Sequence, residues 1–235
     1  FLLNNRLADS MDLEKIESID TSTANFYEED LKYLCHLKNL KNLYAFSDNK
    51  PTEYKIHGPG LVYLKYLQNL DYLDLDGNWI TSENLKYLEG VNSVKGLKLY
   101  NNPLTKENDF SGIKYLMGMP ELEKLMLQGH SEFYLTDADL IHLKALKDHP
   151  KLKYISFIGN QIKGTTDAFK SLASIQSLQE LDLSGNLIDS DTDFSSLAGS
   201  NIHSINLSNT PNSKNKNIIT ANHLAQLSSL PNLSE

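Results

Sequence analysis

Apolar positions along this chain recur in one phrase. Leu70-Asp71-Tyr72-Leu73-Asp74-Leu75-Asp76-Gly77-Asn78-Trp79-Ile80 has the form L-x-x-L-x-L-x-x-N-x-I. The phrase returns as Val94, Leu97, Leu99, Asn102 and Leu104, then as Leu152, Ile155, Phe157, Asn160 and Ile162. It returns again as Leu178, Leu181, Leu183, Asn186 and Ile188. Weaker copies open at Leu122, with His130 in the Asn slot, and at Ile202, with Thr210 there. Another opens at Leu40, with Ala45 in the second strand slot and Asp48 in the Asn slot. The faintest opens at Ile16 and runs through Ile19, Thr21, Ala24 and Phe26. The openings fall at 16, 40, 70, 94, 122, 152, 178 and 202, and Leu233 opens a ninth. Their spacings are 24, 30, 24, 28, 30, 26, 24 and 31 residues. Repetition at such a period marks a solenoid, in which no unit buries both of its apolar edges alone.

Each unit divides into two halves. The L-x-L alternation predicts a short strand with apolar side chains on one face and the intervening residues on the other. The Asn amide can then bond backbone groups where the chain leaves the strand, and stacked copies build a ladder from Asn78, Asn102, Asn160 and Asn186. A second phrase follows, clearest as Ile80-Thr-Ser-Glu-Asn-Leu85-Lys-Tyr-Leu88. It recurs from Leu135 to Leu143 and from Ile219 to Leu227. Thr81, Thr136 and Thr220 stand where a helix N-cap belongs, ahead of L-x-x-L at helical spacing. The extra residues of the three longest units lie between the two phrases, at 49–55, 131–134 and 211–218, and read as loop insertions.

These motifs resemble the leucine-rich-repeat family over nearly the whole chain. The resemblance implies an α/β horseshoe solenoid, one domain spanning residues 1–235, with parallel strands on the concave face and helices on the convex face. The long second half resembles the intracellular, ribonuclease-inhibitor-like type. The I-T-x-x-[ND]-L-x-x-L phrase resembles bacterial repeats, including those of effectors that pathogens inject into host cells. The expected function is binding of a partner protein, as a virulence effector acting in a host cytosol or otherwise in the cytoplasm. GTPase-activating members of the fold use an arginine, so Arg6 is the one residue that could serve an enzyme-regulating alternative. A purely architectural domain is the third alternative.

Composition narrows the partner class. The 22 Lys+Arg against 30 Asp+Glu give a net charge of −8, which disfavours nucleic acid. No apolar run reaches the ~18 residues of a membrane span. Cys35 is the only cysteine, so no intrachain disulfide or multi-cysteine zinc site can form. Its setting in Leu34-Cys35-His36-Leu37 predicts a packed core residue. The seven histidines form no metal-ligand spacing, although His142 and His149 lie seven apart. Phosphate-loop and nucleophile-elbow motifs are missing too, so no cofactor, metal or catalytic residue is expected. The sequons at Asn206 and Asn232 read as chance. Residues 2–7 match the tail of a repeat and residues 230–235 the start of one, so the chain is expected to be part of something longer. It is expected to be monomeric.

The slots between core positions give the expected interface. Tyr44, Phe46, Tyr72, Asp74, Lys98, Tyr100, Met126, Tyr154 and Ile158 fall in the middle five units, where aromatic and apolar side chains concentrate. Lys95, Lys124 and Lys153 lie among them. The flanking units offer mostly Ser, Asp, Glu and Asn, so apolar anchors sit inside a polar rim. Tyr72, Tyr100 and Tyr154 are expected to be exposed in the free protein.

Overall fold

A computed structural model describes residues 13–47, 50–105, 110–129, 133–209 and 215–234. Eight three-residue strands form one parallel sheet in sequence order. They are β1 (Ser18–Asp20), β2 (Asn42–Tyr44), β3 (Tyr72–Asp74), β4 (Gly96–Lys98), β5 (Lys124–Met126), β6 (Tyr154–Ser156), β7 (Glu180–Asp182) and β8 (Ser204–Asn206). Each begins two residues after an apolar opening, where the alternating pattern starts.

The register aligns Ile19, Leu43, Leu73, Leu97, Leu125, Ile155, Leu181 and Ile205 in one row. That row is buried from Leu43 to Leu181 and half-buried at both ends, where a neighbour on one side is missing among the described residues. A second buried row runs through Ala45, Leu75, Leu99, Leu127, Phe157 and Leu183. The core is therefore a continuous slab between sheet and helices, each unit closing the next.

On the helical side the spacing of the buried residues decides the type of helix. Most of the returning segments are 3₁₀ helices, among them Glu28–His36, Pro59–Tyr66, Glu83–Leu88, Ser111–Gly118 and Ile141–Leu146. The reason lies in the spacing of the buried residues. Leu31, Leu34, Leu37 and Leu40 follow one another at a strict step of three, as do Leu61, Leu64, Leu67 and Leu70. Side chains at i and i+3 eclipse in a 3₁₀ helix, so a step of three keeps them all on the core side. Where a step of four enters, the helix is α. In α2 (Thr166–Ala173) Ala168 and Phe169 pair with Leu172, and in α3 (Ala221–Ser228) His223 pairs with Leu227. The remaining one, α1 (Asp137–Leu140), is a single turn running into a 3₁₀ segment.

The three threonines act as expected in two places. Thr136 caps α1, its backbone N–H donating to Asp139 Oδ2 at 2.7 Å. Thr220 caps α3 and accepts from the His223 N–H at 3.3 Å. Thr81 forms the same box with Asn84 one residue ahead of the helix's own N-cap, Ser82.

Other helix starts are capped from the preceding unit. The Glu28 carboxylate accepts from the N–H groups of His57, Gly58 and Gly60 at 3.1, 2.9 and 2.7 Å. Ser82 Oγ accepts from Gly112 N–H at 2.7 Å, and Asp137 accepts from Lys163, Gly164 and Thr165 at 2.7–2.9 Å. Phe194 is served the other way, by Gln226 of the following unit.

Candidate functional site

Side chains between the two core rows cover the sheet face turned away from the helices. Reading across the sheet, the first column is Ser18, Asn42, Tyr72, Gly96, Lys124, Tyr154, Glu180 and Ser204. The second is Asp20, Tyr44, Asp74, Lys98, Met126, Ser156, Asp182 and Asn206. Phe46, Asp76, Tyr100 and Ile158 follow two residues further along their chains, on the same side. The structure thus brings Tyr44, Phe46, Tyr72, Tyr100, Met126, Tyr154 and Ile158 onto one face, all half-buried.

The tyrosines lie down rather than stand free. Tyr44 and Tyr72 have ring centroids 5.7 Å apart. A Cβ on Gly96 would sit 2.8 Å from Tyr72 Cδ2, so the missing side chain is what lets the ring rest on β4. Burial pushes the phenols of Tyr72 and Tyr154 up and that of Tyr100 to about 12. A half-buried, desolvated ring has already lost much of its hydration and rotational freedom, which lowers the cost of docking.

Asp74 and Lys98 form a cluster with Asp76, and here alternation misjudged depth. Asp74 and Asp76 are buried, 7% and 4% exposed, beneath the longer side chains of the neighbouring strand. Lys98 Nζ bonds Asp76 Oδ2 and lies 3.3 Å from Asp74 Oδ2. It also sits 4.6 Å from the Tyr100 ring centroid, and Tyr100 N–H donates to Asp76 Oδ1 at 2.8 Å. Burial pushes the Asp76 carboxyl up to about 6, with the Lys98 hydrogen bond pulling the other way. Burial opposes the Lys98 ammonium, but Asp76 and Asp74 outweigh it and hold its pKa above the ordinary lysine value. Two buried carboxylates thus share one ammonium.

Residues just ahead of the strands form a charge column. Glu17 pairs with Lys41 at 2.9 Å, Asp71 with Lys95 at 2.8 Å and Glu123 with Lys153 at 3.5 Å. These exposed pairs contribute little stability, but they neutralise the rim.

Beneath the rim of the other edge, Asn78, Asn102, Asn160 and Asn186 are buried, 0–3% exposed. Each side-chain carbonyl accepts one N–H from the preceding unit: Ile56 at 2.8 Å, Ile80 at 3.0 Å, Leu135 at 2.8 Å and Ile162 at 3.1 Å. Each amide nitrogen donates to carbonyls of both units, as Asn160 does to Leu127 at 2.7 Å and Phe157 at 3.0 Å. In the last unit Asn217 performs this role. It accepts from Ile188 N–H at 3.2 Å and donates to Leu183 and Leu207 at 2.8 and 3.1 Å. Thr210, expected in that slot, lies outside the described residues, as do Asp48, His130, Arg6 and residues 2–7. The insertion displaced the rung by seven residues in sequence, and the step of two from Asn217 to Ile219 was the available signal.

Two further expectations need correction. Cys35 is half-exposed, its thiol donating to the Lys32 carbonyl at 3.0 Å, because the step of three through Leu31, Leu34 and Leu37 leaves it off the core side. Leu224, placed in a core slot by the repeated phrase, is 60% exposed, and α3 turns His223 inward instead. His149 is buried and structural: Nε2 contacts the Met119 carbonyl at 3.2 Å and Nδ1 accepts from Leu152 N–H at 3.2 Å. Among the described residues no group of three or more His, Cys, Asp or Glu could hold a metal ion, and no helix is long and apolar enough to cross a membrane.

Residues 177–199 match the model of the Leucine Rich Repeat family. The fold is similar to that of internalin C2 from Listeria monocytogenes, with a TM-score of 0.56 and 23% sequence identity. The match covers 94% of this chain and 80% of that one. No curated protein matches the sequence.

Proposed function

Because the chain is a leucine-rich-repeat solenoid whose exposed sheet face is aromatic at its middle, we propose that it is a protein-interaction module. Its binding surface is the strand face, the concave side, and the anchors are Tyr44, Phe46, Tyr72, Tyr100, Met126, Tyr154 and Ile158. The observation that carries this reading is their concentration on β2–β6, half-buried and preorganised, between polar strands at either end. A cluster of Tyr and apolar anchors within a polar surround is the usual anatomy of a hot spot. Asp74 and Lys98 serve it from below, fixing Tyr100 through Asp76. The partner is a protein rather than a nucleic acid, given a net charge of −8. The bacterial-effector part of the proposal, with a host protein as partner, rests on the I-T-x-x-[ND]-L-x-x-L phrase alone.

Affinity capture with the wild-type chain and with a Tyr72→Ala/Tyr100→Ala/Tyr154→Ala variant tests it. The variant is expected to keep the circular dichroism and cooperative unfolding of the wild type while losing about 2 kcal/mol or more of affinity per true anchor. Full partner binding by the folded triple variant would refute the reading.

A further inference from the structure

The Lys98 cluster shows how this face holds a cation. The ammonium rests against two buried carboxylates, with the face of a tyrosine 4.6 Å away. A tyrosine and two carboxylates, one of them buried, also meet at β6 and β7, with no lysine between them. Register sets Tyr154 beside Glu180 and Ser156 beside Asp182. Glu180 is exposed, whereas Asp182 is buried. Among the described residues, the Asp182 oxygens accept from neutral donors alone: Ser184 N–H and Oγ at 2.9 and 2.7 Å, and Asn206 Nδ2 at 3.0 Å. After burial, the charges of Asp182 and Glu180 help raise the Tyr154 phenol, so both carboxylates act on the ring. Met126 and Ile158 supply half-buried apolar surface beside it. Lys124 is the register partner of Tyr154 on the opposite flank, two strand spacings from Glu180, or about 10 Å.

We propose that Tyr154, Glu180 and Asp182 form a subsite for a basic side chain of the protein partner. Arginine fits best, because its planar guanidinium can stack on the Tyr154 ring while its fork meets the exposed Glu180 carboxylate. The inference rests on the reading of the strand face as a protein interface, and adds which partner residue that interface selects.

The probe is N-acetyl-arginine methylamide, titrated into the full chain and followed by NMR at the Tyr154 ring and the Glu180 carboxyl. A saturable shift at both is expected, weakened by salt and absent with the glutamine analogue of the probe. Glu180→Gln should weaken the probe roughly fivefold or more, while Lys124→Met, which removes the flanking cation, should strengthen it. Resonances of Tyr100 beside the occupied Lys98 cluster should stay still. No saturable shift, or equal affinity in Glu180→Gln, would overturn the subsite. A captured partner that survives Glu180→Gln but is lost in the triple tyrosine variant also overturns the subsite while leaving the protein-binding reading intact. Probe binding at Tyr154 together with full partner binding by the triple variant overturns both, since the partner would then bind without the Tyr154 ring.

Discussion

Replacing Asn160 with alanine removes a fully buried amide, and the cost can be worked from which backbone groups it leaves behind. Leu135 N–H loses its acceptor and the Leu127 carbonyl its donor. Phe157 O does not, because Asn186 Nδ2 still donates to it at 2.9 Å. Two buried groups at about 1–3 kcal/mol each, the N–H dearer than the carbonyl, give about 3 kcal/mol. Asn186→Ala differs. Its carbonyl acceptors are shared, Phe157 O with Asn160 and Leu183 O with Asn217, so only Ile162 N–H is stranded, costing about 1.5 kcal/mol. The other rungs divide the same way. Asn78→Ala strands Ile56 N–H and Ala45 O, while Asn102→Ala strands Ile80 N–H alone, since Leu75 O keeps Asn78 and Tyr100 O keeps Gly77 N–H. The volume removed is identical in all four, so cavity terms cancel in the comparison. Urea titrations followed by circular dichroism and by Trp79 fluorescence supply the four values and check that the transitions coincide. Two classes are expected, Asn78 and Asn160 above Asn102 and Asn186 by about 1–2 kcal/mol. Four equal losses, or the reverse order, would refute the shared-acceptor reasoning.

Further outcomes follow from the same contacts. Lys98→Met leaves Asp74 and Asp76 side by side without a cation and should cost about 2 kcal/mol near neutral pH, a value discounted for the lysine's partial exposure. Because the folded carboxylates then bind protons more tightly than the unfolded ones, the loss should shrink as pH falls toward 5, and a pH-independent loss in thermal melts would contradict it. Burial lowers the His149 pKa, so its contribution is full above the unfolded value of about 6.5 and declines as pH drops through the folded value. His149→Gln should flatten that part of the stability profile, and an unchanged slope would speak against it. Gly96→Ala must displace the Tyr72 ring, which a changed Tyr72 ring-proton spectrum with little loss of stability would report. Asn217→Ala should unfold more easily than wild type, as a true rung must.

The strands and four rungs were legible because L-x-L and the Asn fix local geometry at one spacing whatever surrounds them. Depth was not legible. Alternation assigns Asp74 and Asp76 to the open face, but strands about 4.8 Å apart let Lys98 and Tyr100 roof them over. Helix type was present in the sequence as the step of three from Leu31 to Leu40, read only as helical. His223 and Leu224 show the converse: one inserted step of four rotates the helix and exchanges which of two neighbours faces inward. Asn217 escaped notice because an insertion moves a rung along the chain without moving it in space. The aromatic concentration on the middle strands was visible from the slots alone, whereas the contrast between the occupied site at Lys98 and the one beside Glu180 needed the register.

The caps that Glu28, Ser82 and Asp137 extend to the following helix give the stack a direction in time as well as in space. A chain is synthesised from its N-terminus, at about 5–20 residues per second. When Gly58 and Gly60 leave the ribosome, the carboxylate that will hold them has already been made, and the same holds for Gly112 and Gly164. Each of these three helix starts thus emerges onto an acceptor that is already made. Phe194 runs the other way, its acceptor Gln226 being made 32 residues later, and so do the rungs, where the N–H groups of Ile56, Ile80, Leu135 and Ile162 each await an asparagine of the next unit.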